Sequence, residues 1–211
     1  MTDTRAALHS SGKDGWQSPP PVLAWLDLEL GFYLDAAASP GAEAFPGRAS
    51  IGPLASPTGS LGVSWLEWMP RSFPAHRPPS AFLNSPYSKE AGGGEGIKAW
   101  HRKAWQESRT GIHVAVLAPP TIDRGWAHGG DEPAAGCAWL ADEWRVFAFR
   151  LDFVDPETGE PATSNVVGSQ VTIYRPHVPA GGWPGGPRIS YVTREDLAPF
   201  ADVTRADLAR R

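Results

Sequence analysis

Several things are scarce in this 211-residue chain, and each scarcity excludes something. There is a single cysteine, Cys137, so no intramolecular disulfide can form and stability must come from packing. No run approaches the ~20 consecutive apolar residues that a membrane-spanning helix needs. The N-terminus, Met1-Thr2-Asp3-Thr4-Arg5, is polar and leads into Ser10-Ser11-Gly12-Lys13 with no apolar core of a secretory signal, so a cytoplasmic location is expected. Basic charge is also short. The net charge is −4, which argues against a nucleic-acid binder that works by neutralising phosphates.

Other residue types are abundant. Glycine and proline, at 23 and 22 residues, make the chain loop-rich without making it low-complexity. Ten tryptophans are many for this length; each offers a large apolar body and one N–H that needs a partner, and most are expected in a core. Hydrophobic content of 41% and charged content of 20% suit a folded domain. Residues 1–21, ending in Pro19-Pro20-Pro21, read as a flexible arm, and 22–211 as a single domain.

The clearest patterned stretch runs from Trp144 to Arg175. Phe147, Phe149, Leu151 and Phe153 alternate with mixed residues, which is strand periodicity, and Val171 and Ile173 alternate with Thr172 and Tyr174. Asp155-Pro156-Glu157-Thr158-Gly159-Glu160 supplies a turn, so the stretch predicts a hairpin. Val22 to Asp35 is apolar at every even position; this favours a strand, although Leu23, Leu26, Leu30 and Leu34 would also line one side of a helix. Leu61 to Met69 reads as a further strand. Residues 36–60 and 70–95 read as long coils, the second broken by Pro70, Pro74, Pro78, Pro79 and Pro86.

Ile97, Trp100, His101, Ala104, Trp105 and Ser108 recur at three-and-four spacing and predict an amphipathic helix ending near Gly111. The helix also carries Lys98, Arg102 and Lys103, a solvated basic face in so acidic a chain. Ile112 to Leu117 and Arg188 to Val192 read as short strands. Thr193 is a predicted N-cap for a closing helix that Pro199 splits. The resulting fold class is α+β: a mainly antiparallel sheet, as a sandwich or half-barrel, with one amphipathic helix on it, a short C-terminal helix and long Pro/Gly-rich loops.

Four groups of residues could carry function. Asp27 and Glu29, two apart on a strand, would share a face, and paired carboxylates can hold Mg²⁺ or Mn²⁺ for phosphodiester cleavage. Over these residues alone the spacing resembles the first motif of DEDD-type exonucleases, though Leu30-Gly31 depart from it. Cys137 at a helical turn and His113 on a strand are the parts of a papain-like thiol site, but in the order His before Cys. His128 and Asp131, in the loop over residues 121–136, together with His177 could line a polar or metal-binding site. Trp126 and Trp183 sit in Gly-rich loops, where a large ring packs back or binds something.

The reading favoured by the sequence is a non-catalytic binding or assembly module. It engages a protein or carbohydrate partner through the loops bearing Trp126, His128, Asp131, His177 and Trp183. The alternative is a small enzyme, using either Asp27 and Glu29 with a metal or Cys137 and His113 as a thiol hydrolase or transferase. No cofactor is indicated by any motif.

Overall fold

The computed structural model describes residues 16–38, 43–52, 59–74, 76–86, 92–121, 125–128, 137–155, 158–161, 168–179 and 182–210. Seven strands form one sheet: β1 (Leu34–Asp35), β2 (Ala49–Ser50), β3 (Ser80–Asn84), β4 (His113–Ala118), β5 (Glu143–Phe147), β6 (Gln170–Tyr174) and β7 (Arg188–Val192), in the order β2-β1-β3-β4-β6-β5-β7. The pairs β1·β2, β1·β3, β3·β4 and β5·β7 are parallel, whereas β4·β6 and β5·β6 are antiparallel. The fold is α+β, but the sheet is mixed and mostly parallel. That corrects the expectation of a mainly antiparallel sandwich or half-barrel.

Helices cover both faces. Helix α1 (Pro20–Leu30) lies on one face with α3 (Arg194–Leu197) and α4 (Arg205–Ala209). There Leu23, Leu26 and Leu30 meet Phe82, Leu117, Val171 and Ile173, with Leu197 and Leu208 behind. Helix α2 (Ile97–Ser108) lies on the other face, where Trp100 and Ala104 meet Val114, Val116, Trp144 and Tyr174. Strand residues alternate between these two cores, as the two-residue period of a strand requires. The unit β3-α2-β4 is a parallel crossover through a helix, which is why its two strands are buried on both sides.

The misread elements have physical causes. Val22 to Leu30 is helical because Pro20 and Pro21 preset φ at its first positions and Gly31 ends it in the left-handed region, at φ 59°. Its apolar residues surround most of the helix, so strand and helix periodicities coexist in the sequence. The Arg77 side chain also crosses Gly31 so closely that a Cβ there would lie 2.0 Å from Nε. Trp65–Trp68 is a 3₁₀ turn, not a strand: Trp65 and Met69 are buried, while Leu66, Glu67 and Trp68 between them face solvent. Strand β3 was hidden in the proline-rich stretch because Pro78, Pro79 and Pro86 flank it without interrupting its ladder.

The expected hairpin forms. Glu143 pairs with Ile173 and Arg145 with Val171, antiparallel. Strand β5 is shorter than its alternation suggests and stops at Phe147, although Leu151 and Phe153 still reach the α1 core. The expected turn, closed by Gly159 N–H to Asp155 O at 2.8 Å, joins Val154 to Pro161 in an isolated bridge and not β5 to β6, which are connected by residues 148–169. Thr193 caps α3 through a capping box with Asp196, and the segment after it breaks at Pro199 as expected. No helix among the described residues is long and apolar enough to cross a membrane.

Burial makes two side chains of this framework sensitive to pH. His101, fully buried on α2, is pushed by desolvation from its ordinary value of 6.5 to about 3. Asp35, fully buried at the end of β1, is pushed up to about 6 by burial, despite N–H bonds from Ala44 and Ala37. The signs are opposite. As pH falls below 6.5 the unfolded chain protonates His101 and the folded chain does not, so that stability is lost toward about 3. Protonation of Asp35 near 6 favours the folded chain. Chemical denaturation of wild type and His101→Leu across this range separates the two, since Asp35 titrates in both. Wild type is expected to lose up to about 1.4 kcal/mol per pH unit more than the variant; parallel curves would contradict this.

Candidate functional site

The chemistry concentrates at one end of the sheet. Strands β4, β5 and β7 begin there with His113, Glu143 and Arg188, and antiparallel β6 ends there, followed by Arg175. The C-terminal part of α1 closes over the same end. It leaves an open cleft of about 540 Å³ lined by Asp27, Glu29, His76, Arg77, His113 and Arg175.

Guanidinium groups organise the acids beside this cleft. Arg175 bonds Asp142, reaches Glu143 Oε1 at 2.8 Å and donates to Glu29 Oε1 at 2.8 Å. Arg145 bonds Glu29 at 2.7 and 2.8 Å and Glu143 at 2.8 Å, and its guanidinium lies over the Trp25 ring of α1. Two arginines, one on β5 and one directly after β6, therefore clamp one carboxylate from a helix and two from the start of β5. Burial alone would raise the Glu29 carboxyl, but Arg145 and Arg175 outweigh it and hold it below its usual range. Asp142 behaves in the same way: burial pushes it up, and hydrogen bonds from Arg175 and Trp183 bring it lower.

Asp142 also gathers the outer residues. Trp183 donates its indole N–H to Asp142 Oδ1 at 3.1 Å, His177 Nε2 is 3.7 Å from the same oxygen, and Arg188 approaches Oδ2 at 3.4 Å. The His177 and Trp183 rings lie 6.1 Å apart. The Arg188 and His177 side chains remain 73% and 59% exposed, so one buried carboxylate orients a partly exposed cluster. The loop carrying Trp183 runs against Trp139 so closely that a Cβ at Gly186, where φ is +84°, would lie 2.3 Å from that ring.

The residues singled out in the sequence separate into groups. Asp27 and Glu29 lie on a helix, where positions two apart do not share a face as they would on a strand, although both border the cleft at its C-terminal end. Asp27 takes a bidentate bond from Arg48 at 2.6 and 2.8 Å and accepts the Phe32 N–H at 2.9 Å, which makes it a brace for the end of α1. Glu29 belongs to the Arg145–Arg175 clamp. His113 is half-buried at the start of β4, and burial, Arg175 and His177 lower its pKa. Cys137 opens a 3₁₀ turn, Cys137–Leu140, and His128 ends another, Gly125–His128; their side chains lie outside the described residues. Asp131 lies outside them altogether. Among the described residues, no three His, Cys, Asp or Glu side chains are placed to hold a metal ion.

Of the two loop tryptophans, Trp126 packs back onto the α2 core against the His101 ring, at 5.4 Å, while Trp183 is 36% exposed. His101 shares a 2.7 Å hydrogen bond between Nδ1 and the Tyr174 hydroxyl, and its Nε2 is buried without a hydrogen-bond partner. Sequence reading missed Asp142, Glu143, Arg145, Arg175 and Arg188. A signal was present: pairing the hairpin places the acids that open one strand beside the arginine that ends the other.

The clamp predicts unequal costs for two arginines. Arg175→Ala leaves Asp142 and Glu143 short of a buried counter-charge and is expected to destabilise the fold by about 3 kcal/mol. Arg188→Ala, at the exposed rim, is expected to stay within about 0.5 kcal/mol. Urea denaturation midpoints test both; equal effects would contradict the clamp.

No family model matches this chain, and no curated protein matches it.

Proposed function

We propose that this chain is a non-catalytic protein-interaction module whose recognition surface is the Trp183–Arg188–Tyr191 side of the sheet. The observation that carries the reading is the exposure of Trp183 at 36%, Ile189 at 45% and Tyr191 at 71% on one short segment, with Arg188 between them in sequence. Trp, Tyr and Arg are the residue types that dominate binding energy at protein interfaces. Trp183 and Arg188 are also oriented in advance by Asp142, which lowers the entropy lost when a partner docks.

The enzyme readings receive less support. Asp27 and Glu29 both border the cleft, but Asp27 is paired with Arg48 and Glu29 with Arg145 and Arg175, so each carboxylate is already engaged by a guanidinium. For the thiol reading, the Cys137 side chain lies outside the described residues, so no contact between it and His113 supports that reading.

A photo-crosslinking residue at position 191, compared with one at position 68 on the 3₁₀ turn that bonds Glu107 of α2, tests the proposal in the cells that make the protein. Trp68 is 46% exposed and serves as an accessible control. A discrete protein adduct from position 191 and none from position 68 is expected. Adducts at both positions alike, or at neither, would overturn the reading.

A further inference from the structure

The outer edge of β7 has a definite hydrogen-bonding polarity. Arg188 N–H donates to Asp142 O at 3.0 Å, and Val192 O accepts from Ala148 N–H at 2.9 Å. Residues 188, 190 and 192 therefore turn their backbone groups toward β5, and in a parallel ladder the intervening Ile189 and Tyr191 turn theirs outward. No strand among the described residues pairs with that edge.

The edge also lacks the usual protection. Monomeric proteins blunt a terminal strand with a central lysine, a proline, a bulge or an inward charge. The centre of β7 is Ile189-Ser190-Tyr191, with Ile189 45% and Tyr191 71% exposed on the same face. Both side chains follow on from apolar surface, because their register partners across the strand pair are the buried Trp144 and the half-buried Val146.

We infer that β7 pairs antiparallel with β7 of a second copy of this chain, about a two-fold axis through Ser190. The inference rests on the reading of this side as a protein interface, and it names the partner. The register follows from the donors available. An axis through Ser190 sets Ile189 opposite the partner's Tyr191, and Tyr191 opposite the partner's Ile189. All four residues present outward N–H and C=O groups, which gives two hydrogen-bonded pairs. An axis through Ile189 would oppose Tyr191 to the partner's Pro187, which has no N–H. An axis through Tyr191 would need the Thr193 N–H, which already donates to Asp196 Oδ2 at 2.7 Å.

Side chains agree with that register. Ile189 and Tyr191 form a β-branched and aromatic cross-strand pair with their counterparts, a favourable combination on a sheet. Antiparallel pairing also brings the far end of the partner strand, and so the exposed first turn of the partner's α3, toward Arg188. That turn carries the partner's Glu195 and the partner's Asp196 against one guanidinium, the partner's Arg194, which is drawn over the partner's Phe149 ring; Arg188 is held by its own acids only at 3.4 and 3.7 Å. The charges are complementary on both sides of the axis.

Light scattering coupled to size exclusion, on the full chain at about 100 µM, reads the outcome directly for a micromolar association. A mass of twice 22.6 kDa is expected for the wild type. Tyr191→Pro removes the outward N–H and the exposed ring while leaving the bonds of residues 188, 190 and 192 to β5, and should give the single-chain mass with an unchanged circular dichroism spectrum. Ile189→Lys, at an exposed position, should do the same and decides the matter if the proline variant does not fold. Trp68→Lys, exposed elsewhere, should remain a dimer. A monomeric wild type, or a dimer that survives the folded β7 variants, would overturn the inference. If the chain is monomeric but position 191 crosslinks to a different protein, the interface reading stands and the self-pairing falls.

Discussion

The arginine clamp at the strand ends is the interaction on which the arrangement of this surface depends. Arg145 of β5 and Arg175, directly after the adjacent antiparallel β6, bind Glu29 of α1 together with Asp142 and Glu143 at the start of β5. Taking such charges partly out of water is costly, and the attraction repays it only when geometry and hydrogen bonding are good. Here each guanidinium reaches more than one carboxylate. Hydrophobic packing of α1 against Phe82 and Ile173 would hold the helix to the sheet in many rotational settings. The bond from Glu29 to two arginines, with Trp25 under Arg145, selects one of them.

From that clamp the outer surface follows. Asp142 is fixed by Arg175, and its remaining acceptor capacity fixes the Trp183 indole and draws in Arg188. Gly182 and Gly186 let the Trp183 loop run against Leu140 and Trp139, so the loop is held from below as well as from within. Strand β7 then lies as the outermost strand with ordered neighbours on one side and open backbone groups on the other. Asp27 and Glu29, which stand out in the sequence as a carboxylate pair, are each bonded to arginines, and Trp183, Ile189 and Tyr191 remain exposed beyond them.

The sequence disclosed these features unevenly. Helix α2 is legible because only one of its faces is buried, so its spacing has a single reading. The strands of the hairpin are legible because aromatic or aliphatic residues alternate with others along them, although β6 is buried on both faces, and Thr193 and Pro199 mark the closing helices. Helix α1 is ambiguous because it is apolar nearly all round, and β3 is obscured because its flanking prolines suggest coil. Asp27 and Glu29 stand out, but their partners Arg48, Arg145 and Arg175 are 21, 116 and 146 residues away, so only the fold reveals that the two acids answer to different arginines. Trp183 and Trp126 look equivalent in sequence; packing against His101 leaves Trp126 half-buried, while Trp183 stays exposed.

The most direct measurement is residue-resolved amide hydrogen exchange along β7 as a function of protein concentration. Ser190 N–H faces β5 and should exchange slowly throughout. Ile189 and Tyr191 face outward and should exchange fast when dilute, then become protected together as concentration rises and the two edges pair. Exchange of Ile189 and Tyr191 that stays fast at every concentration, while Ser190 stays protected, would contradict the account.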